Sequence, residues 1–232
     1  MEKKVEFKSG KEILRGNLFI PNGSGPFPSV IFFHGSGGNG ESMFEIANAI
    51  SKKGILGFAF NYRGAGVSEG KFENQTVGMG IEDGKLAVNF FLSQKEVDKK
   101  RFGFLGGSFG GFIASLIVNS FNPKSLALVA PAAYSPDLYE IQRDADSDPR
   151  KDFEKSDSYK EIARFKGCLL IVGCEFEDVL PSGMTDKYLE AATQVIKKEG
   201  YLLKDANHRI SINPKAAVVL KEKILSWFIN TL

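Results

Sequence analysis

The order of apolar segments constrains this chain more than any other feature. Short, uninterrupted apolar runs of strand length alternate with longer stretches of helical period. A run without alternation marks a strand buried on both faces, and its recurrence between helices marks a mostly parallel sheet with helices on both sides. The spacing predicts strands over 5–8 and 13–20 as an antiparallel opening, turned at Ser9-Gly10. Further strands are expected over 29–33, 55–60, 101–105, 125–130, 168–172 and 201–204. Helices are expected over 41–53, 77–92, 109–119, 184–198 and 215–229. This gives about eight strands, and 232 residues suit one α/β domain spanning 1–232. Residues 131–167 break the alternation.

Several function classes drop out on charge and composition. The formal net charge is only +2 with acidic and basic residues interleaved, so no basic stripe for nucleic acid is present. No stretch reaches the ~18 apolar residues of a membrane span, and the amino terminus lacks the apolar core of a secretory signal. A cytoplasmic protein is the expectation. Cys168 and Cys174 agree with it, because six residues of strand hold them roughly 20 Å apart, far beyond the ~7 Å limit of a disulfide.

The pattern G-x-S-x-G occurs twice, and with 25 glycines in the chain the bare pattern means little. Context separates the copies. Gly106-Gly107-Ser108-Phe109-Gly110 follows an apolar strand and opens an apolar helix, the setting in which a serine is exposed on a sharp turn as a nucleophile. Gly66-Val67-Ser68-Glu69-Gly70 lies in a polar loop with no helix behind it and reads as turn chemistry.

A serine hydroxyl needs a base to take its proton. The chain has two histidines. His208, in a loop between the last strand and the last helix, fits the base. His34, at the end of a buried strand, reads as a residue that holds its own loop through ring hydrogen bonds. Their separation gives no metal-site spacing, so no metal is expected. Gly35-Ser36-Gly37-Gly38 follows a strand directly and can expose backbone N–H groups to a developing oxyanion. Ser36 is the expected first donor, with Gly35 and Gly37 as alternatives, and Phe109 the second.

These residues resemble small bacterial and archaeal α/β-hydrolases of the cinnamoyl-esterase and serine-aminopeptidase type. The matching pieces are His34 to Gly38, Asn61-Tyr62-Arg63-Gly64-Ala65-Gly66-Val67-Ser68-Glu69-Gly70, the turn at Ser108, and Asn207-His208. The resemblance implies the α/β-hydrolase fold and hydrolysis of a small-molecule acyl ester through an acyl-enzyme, without a cofactor. It also implies an acid after the seventh strand. Counting back from Pro181 places that acid at Glu177; counting from Gly173 is one residue out of step. Asp178 is the second choice, and Glu175 sits too early. Where relatives insert a lid, 131–167 is a short charged insertion whose Tyr134, Tyr139, Phe153 and Tyr159 could wall a pocket or pack the stretch down. A peptidase or thioesterase on the same residues, and a non-catalytic binding protein of the same fold, are the alternative functions.

Overall fold

The computed structural model describes residues 1–142 and 152–232. Eight strands form one sheet: β1 (Glu2–Ser9), β2 (Glu12–Phe19), β3 (Phe27–Phe33), β4 (Leu56–Phe60), β5 (Val97–Gly107), β6 (Ser125–Val129), β7 (Cys168–Phe176) and β8 (Lys197–Asn207). Their order is β1-β2-β4-β3-β5-β6-β7-β8. The first two strands pair antiparallel and β2 joins β4 the same way, while every pairing from β4 across to β8 is parallel. Among the described residues six helices accompany them: α1 (Phe44–Ser51), α2 (Val77–Ser93), α3 (Phe109–Phe121), α4 (Asp157–Arg164), α5 (Met184–Ala191) and α6 (Pro214–Thr231).

The period of two along a strand explains how one apolar run serves two cores. Ile31 and Phe33 of β3 join a core with Phe91 of α2, Phe112 of α3, Ile162 of α4 and Tyr188 of α5. The intervening Val30 and Phe32 join a second core with Ile50 of α1 and Ile224 of α6 on the opposite face. All four of these β3 side chains are fully buried, each stabilising the fold by about 1.5–3 kcal/mol relative to exposure. The antiparallel opening, the continuous buried strands and the helices on both faces agree with the sequence reading.

Two segments differ from expectation. The helix expected over 184–198 ends at Ala191, and strand β8 takes over from Lys197. Met184, Tyr188 and Val195 keep helical spacing, but β7 offers an open edge, and Cys168 pairs with Lys197 in register. Pairing overrides local propensity there. In the insertion, the eight-residue α4 has Ser156 as its N-cap, with the side chain accepting the Ser158 N–H. The four aromatic residues pack the described parts of the stretch down: Tyr134 against Phe109 and Phe112, Tyr139 against Phe112, and Tyr159 against Tyr188. Phe153 is buried in the same core. Residues 143–151 of the insertion lie outside the described residues.

Connections leave β3 toward β4 on one side and β5 toward β6 on the other. The crevice at the carboxyl ends of β3 and β5 is therefore the switch point at which open α/β sheets bind ligands. His34 follows β3, Ser108 follows β5, Glu177 follows β7 and His208 follows β8. Because those strands are parallel, all four residues emerge on one edge of the sheet.

Candidate active site

Ser108 sits between β5 and α3 at φ 50° and ψ −119°, a conformation that an L-residue adopts only at a cost. Crowding imposes it. A Cβ on Gly106 would overlap the carbonyl of Gly110, and one on Gly110 would overlap the carbonyl of Phe33, so the turn closes only with hydrogen at both positions. Two further glycines set α3 in place. A Cβ on Gly80 would come within 2.5 Å of the Phe109 ring, and one on Gly84 within 2.5 Å of Ile113. Four residues apart on α2, they form a flat stripe against which Phe109 and Ile113, four apart on α3, come to rest.

The elbow brings Ser108 Oγ to 2.9 Å from Nε2 of His208. The other ring nitrogen, Nδ1, faces both carboxylate oxygens of Glu177, hydrogen-bonded to Oε2 at 3.0 Å with Oε1 at 2.9 Å. An ionised carboxylate only accepts, so Nδ1 carries the proton and Nε2 presents its lone pair to the serine hydroxyl. Burial pushes the Glu177 carboxyl up. The hydrogen bonds it accepts from the His208 ring and from the N–H groups of Leu180 and Val179 outweigh burial and hold it below the ordinary carboxylate range. Glu177 is therefore an anion at neutral pH. Nearby, burial and the charges of Glu177 and Asp178 push the Cys174 thiol up to about 12, which keeps it protonated.

The two neighbouring carboxylates, Glu175 at the end of β7 and Asp178 on the loop after it, hydrogen-bond elsewhere. Asp178 Oδ1 accepts the backbone N–H of His208 at 3.2 Å. Glu175 takes Lys204 Nζ at 2.7 Å and the Asp205 N–H at 2.9 Å.

The glycine loop after β3 passes directly over the elbow, where a Cβ on Gly35 would lie 3.4 Å from Ser108 Cβ. The Gly38 N–H donates to the Gly35 carbonyl at 3.3 Å, closing a four-residue turn with Gly37 third at φ 67°. His34 Nδ1 donates to the same carbonyl at 2.8 Å, while its Nε2 accepts the Tyr62 N–H at 3.4 Å. With two donors holding Gly35 O, planarity of the trans peptide turns the Ser36 N–H to the opposite side. Asn61 anchors the far end of the loop, its Oδ1 accepting the Gly40 N–H at 2.6 Å. Asn61, Glu175 and Asp178 were not assigned these contacts from sequence. For Asn61, its position at the end of a buried strand before a glycine-rich stretch was the available signal.

Ser68 stands in a different environment. Its hydroxyl donates to the Asn61 carbonyl at 2.8 Å and accepts the Arg15 N–H at 2.9 Å, tying the 61–70 loop to β2. Beside it, Arg63 is buried in a network with Asp83 and Ser9 that pins the same loop to α2 and β1.

Comparison with known proteins places the fold and the family. An uncharacterized Mycobacterium tuberculosis protein is 24% identical over 191 residues, which is 82% of this chain and 66% of that one. Esterase EstD of Thermotoga maritima is 31% identical over 131 residues, 52% of this chain and 31% of the esterase. The chain thus spans under two thirds of the length of these relatives. Among solved structures, Est1E from Butyrivibrio proteoclasticus, seen with ferulic acid bound, superposes with a TM-score of 0.78 at 16% identity over 98% of each chain. That likeness establishes the α/β-hydrolase fold. Residues 25–146, more than half of the chain and including both the glycine loop and the serine elbow, match the family described as serine aminopeptidase, S33. The protein belongs to that family of α/β hydrolases.

Proposed function

We propose that this protein is a serine hydrolase of small-molecule carboxylic esters that works through an acyl-enzyme. The observation that carries the reading is the unbroken hydrogen-bonded chain from Ser108 Oγ through the His208 ring to Glu177. Ser108 Oγ attacks the ester carbonyl as its proton passes to His208 Nε2. Glu177 accepts from Nδ1 throughout and stabilises the imidazolium. The carbonyl oxygen becomes an oxyanion, received by the N–H groups of Ser36 and Phe109. Phe109 opens the 13-residue α3, whose positive dipole end favours an anion there. Collapse of the tetrahedral adduct transfers the histidine proton to the leaving alcohol. Water then enters, gives its proton to Nε2 and attacks the acyl-serine. Collapse of that second adduct returns the proton to Ser108 Oγ and frees the acid. Side chains, backbone N–H groups and water handle every proton and charge in this cycle, so no cofactor is invoked.

Amide and thioester hydrolysis pass through the same intermediate, and the family description names an aminopeptidase. The ester reading is favoured by the 31% identity to EstD. A panel of p-nitrophenyl esters of graded acyl length, beside aminoacyl anilides and acyl thioesters, tests it. The esters are expected to turn over fastest, with Ser108→Ala abolishing the activity. Anilide turnover exceeding that of every ester would replace the ester reading with a peptidase.

A further inference from the structure

The end of β7 and the loop after it supply three carboxylates, and each meets a different group at the end of β8 or just beyond it. Glu175 holds Lys204 Nζ and the Asp205 N–H, Glu177 holds the His208 ring, and Asp178 holds the His208 N–H. The β7–β8 register shifts between Cys174 and Phe176, after which Phe176 faces Asn207. Asp205 lies within that irregular stretch at φ 55°, in the left-handed region that a residue with a side chain enters at a cost. Its N–H is the group that Glu175 accepts. Its carbonyl in turn accepts from Asn213 Nδ2 at 2.8 Å, and Asn213 caps α6.

We propose that Asp178 and Glu175 are positioning residues that clamp the backbone carrying His208, so that its ring stays between Glu177 and Ser108. A ring hydrogen bond alone leaves the main chain of an exposed loop free to rock, and sub-ångström displacements of a catalytic group are costly in rate. Asp178 fastens the residue at its own N–H while the neighbouring Glu177 fastens its ring, which makes residues 177 and 178 a two-point grip on one histidine. Asp178 is exposed, so water screens its charge and its contribution is that of an acceptor. Asparagine retains an oxygen at the same position and should serve nearly as well.

The effect on turnover rests on the serine-hydrolase reading; the clamp itself does not. With normal circular dichroism as the condition, Asp178→Ala is expected to lower kcat about tenfold with KM within about twofold, and Asp178→Asn to recover most of the loss. Glu175→Ala should lower kcat in the same manner, and Glu175→Gln, which keeps an acceptor for the Asp205 N–H, should recover much of it. The second readout is independent of catalysis. The chain has two histidines, so the proton shared between His208 Nδ1 and Glu177 can be followed by NMR in the resting protein. That resonance should broaden or vanish in Asp178→Ala and persist in Asp178→Asn. Unchanged kcat and an unchanged resonance in Asp178→Ala would overturn the clamp. A loss in Asp178→Asn as large as in Asp178→Ala would overturn it too, because charge rather than an acceptor would then be at work. Should Ser108→Ala remain active, the hydrolase reading falls, and the resonance comparison still decides the clamp.

Discussion

Replacing Glu177 by glutamine changes one oxygen into an NH2 group, and the consequence can be worked from its partners. Oε1 accepts the Val179 N–H at 3.0 Å and the Leu180 N–H at 2.9 Å. The single oxygen of glutamine is drawn to those two donors and stays 2.9 Å from His208 Nδ1, but the position that hydrogen-bonds the ring at 3.0 Å is now filled by Nε2 and its hydrogens. Two donors do not pair, so the ring must move its proton from Nδ1 to Nε2. A proton on Nε2 faces Ser108 Oγ and leaves no lone pair to deprotonate it. The expected loss is the one seen when a triad histidine is held in the wrong tautomer, about 10³–10⁴-fold in kcat or ~4–5.5 kcal/mol in the barrier. Steady-state hydrolysis of a p-nitrophenyl ester, with folding matched by circular dichroism, measures it. Glu177→Gln within about tenfold of the parent would refute the reasoning. Asp178→Asn losing several hundredfold beside a near-normal Glu177→Gln would transfer the acid role to Asp178.

Ser68→Ala should leave kcat unchanged but lower Tm by about 2–4 °C, since it gives up hydrogen bonds to Asn61 and Arg15 worth ~1 kcal/mol net. Ser108→Gly should be more stable than Ser108→Ala by ~1 kcal/mol, read from urea midpoints, because both lack the hydroxyl and only glycine takes φ 50° without cost. Glycine normally ranks below alanine, so the usual order would argue against a strained elbow. The Glu177 carboxyl is held lower in the folded chain than its ordinary 4.5. Its contribution to stability is thus full above that value and lost as the pH falls through the folded one. Urea titrations between pH 6 and 3 should accordingly show a shallower acid decline in Glu177→Gln than in the parent.

Much of the scaffold was legible in the sequence because burial on both faces leaves an uninterrupted apolar run. Residues 29–33, 125–129 and 168–172 illustrate it, and the match of Ser108 to a strand–turn–helix context came from the same signal. The start of β5 was less visible. Val97 is buried, but Asp98 to Arg101 are all charged and lie outside the core, which the strand re-enters at Phe102. The end of α5 is hidden from local pattern because Lys197 and Lys198, inside the expected helix, pair with β7, a contact between separate segments. The eight-residue α4 left too short and too charged a stretch to register as a helix, although Ser156 followed by Asp157 was a usable capping signal. The choice among Glu175, Glu177 and Asp178 stayed open in the sequence for a similar reason. Which of them meets the ring depends on the shifted register of β7 against β8, which single-strand spacing does not encode. His34 behaves as its position suggested, both ring nitrogens engaged within its own loop and the neighbouring strand end.

The central claim is that Ser108 is an activated nucleophile, and covalent trapping tests it most directly. The protein would be treated with a fluorophosphonate, weighed intact by mass spectrometry, and digested to locate the modified residue. The account predicts a single adduct on Ser108, absent in Ser108→Ala and formed far more slowly in His208→Gln. No adduct under conditions that label known serine hydrolases, or an adduct on Ser68 that persists in Ser108→Ala, would contradict it.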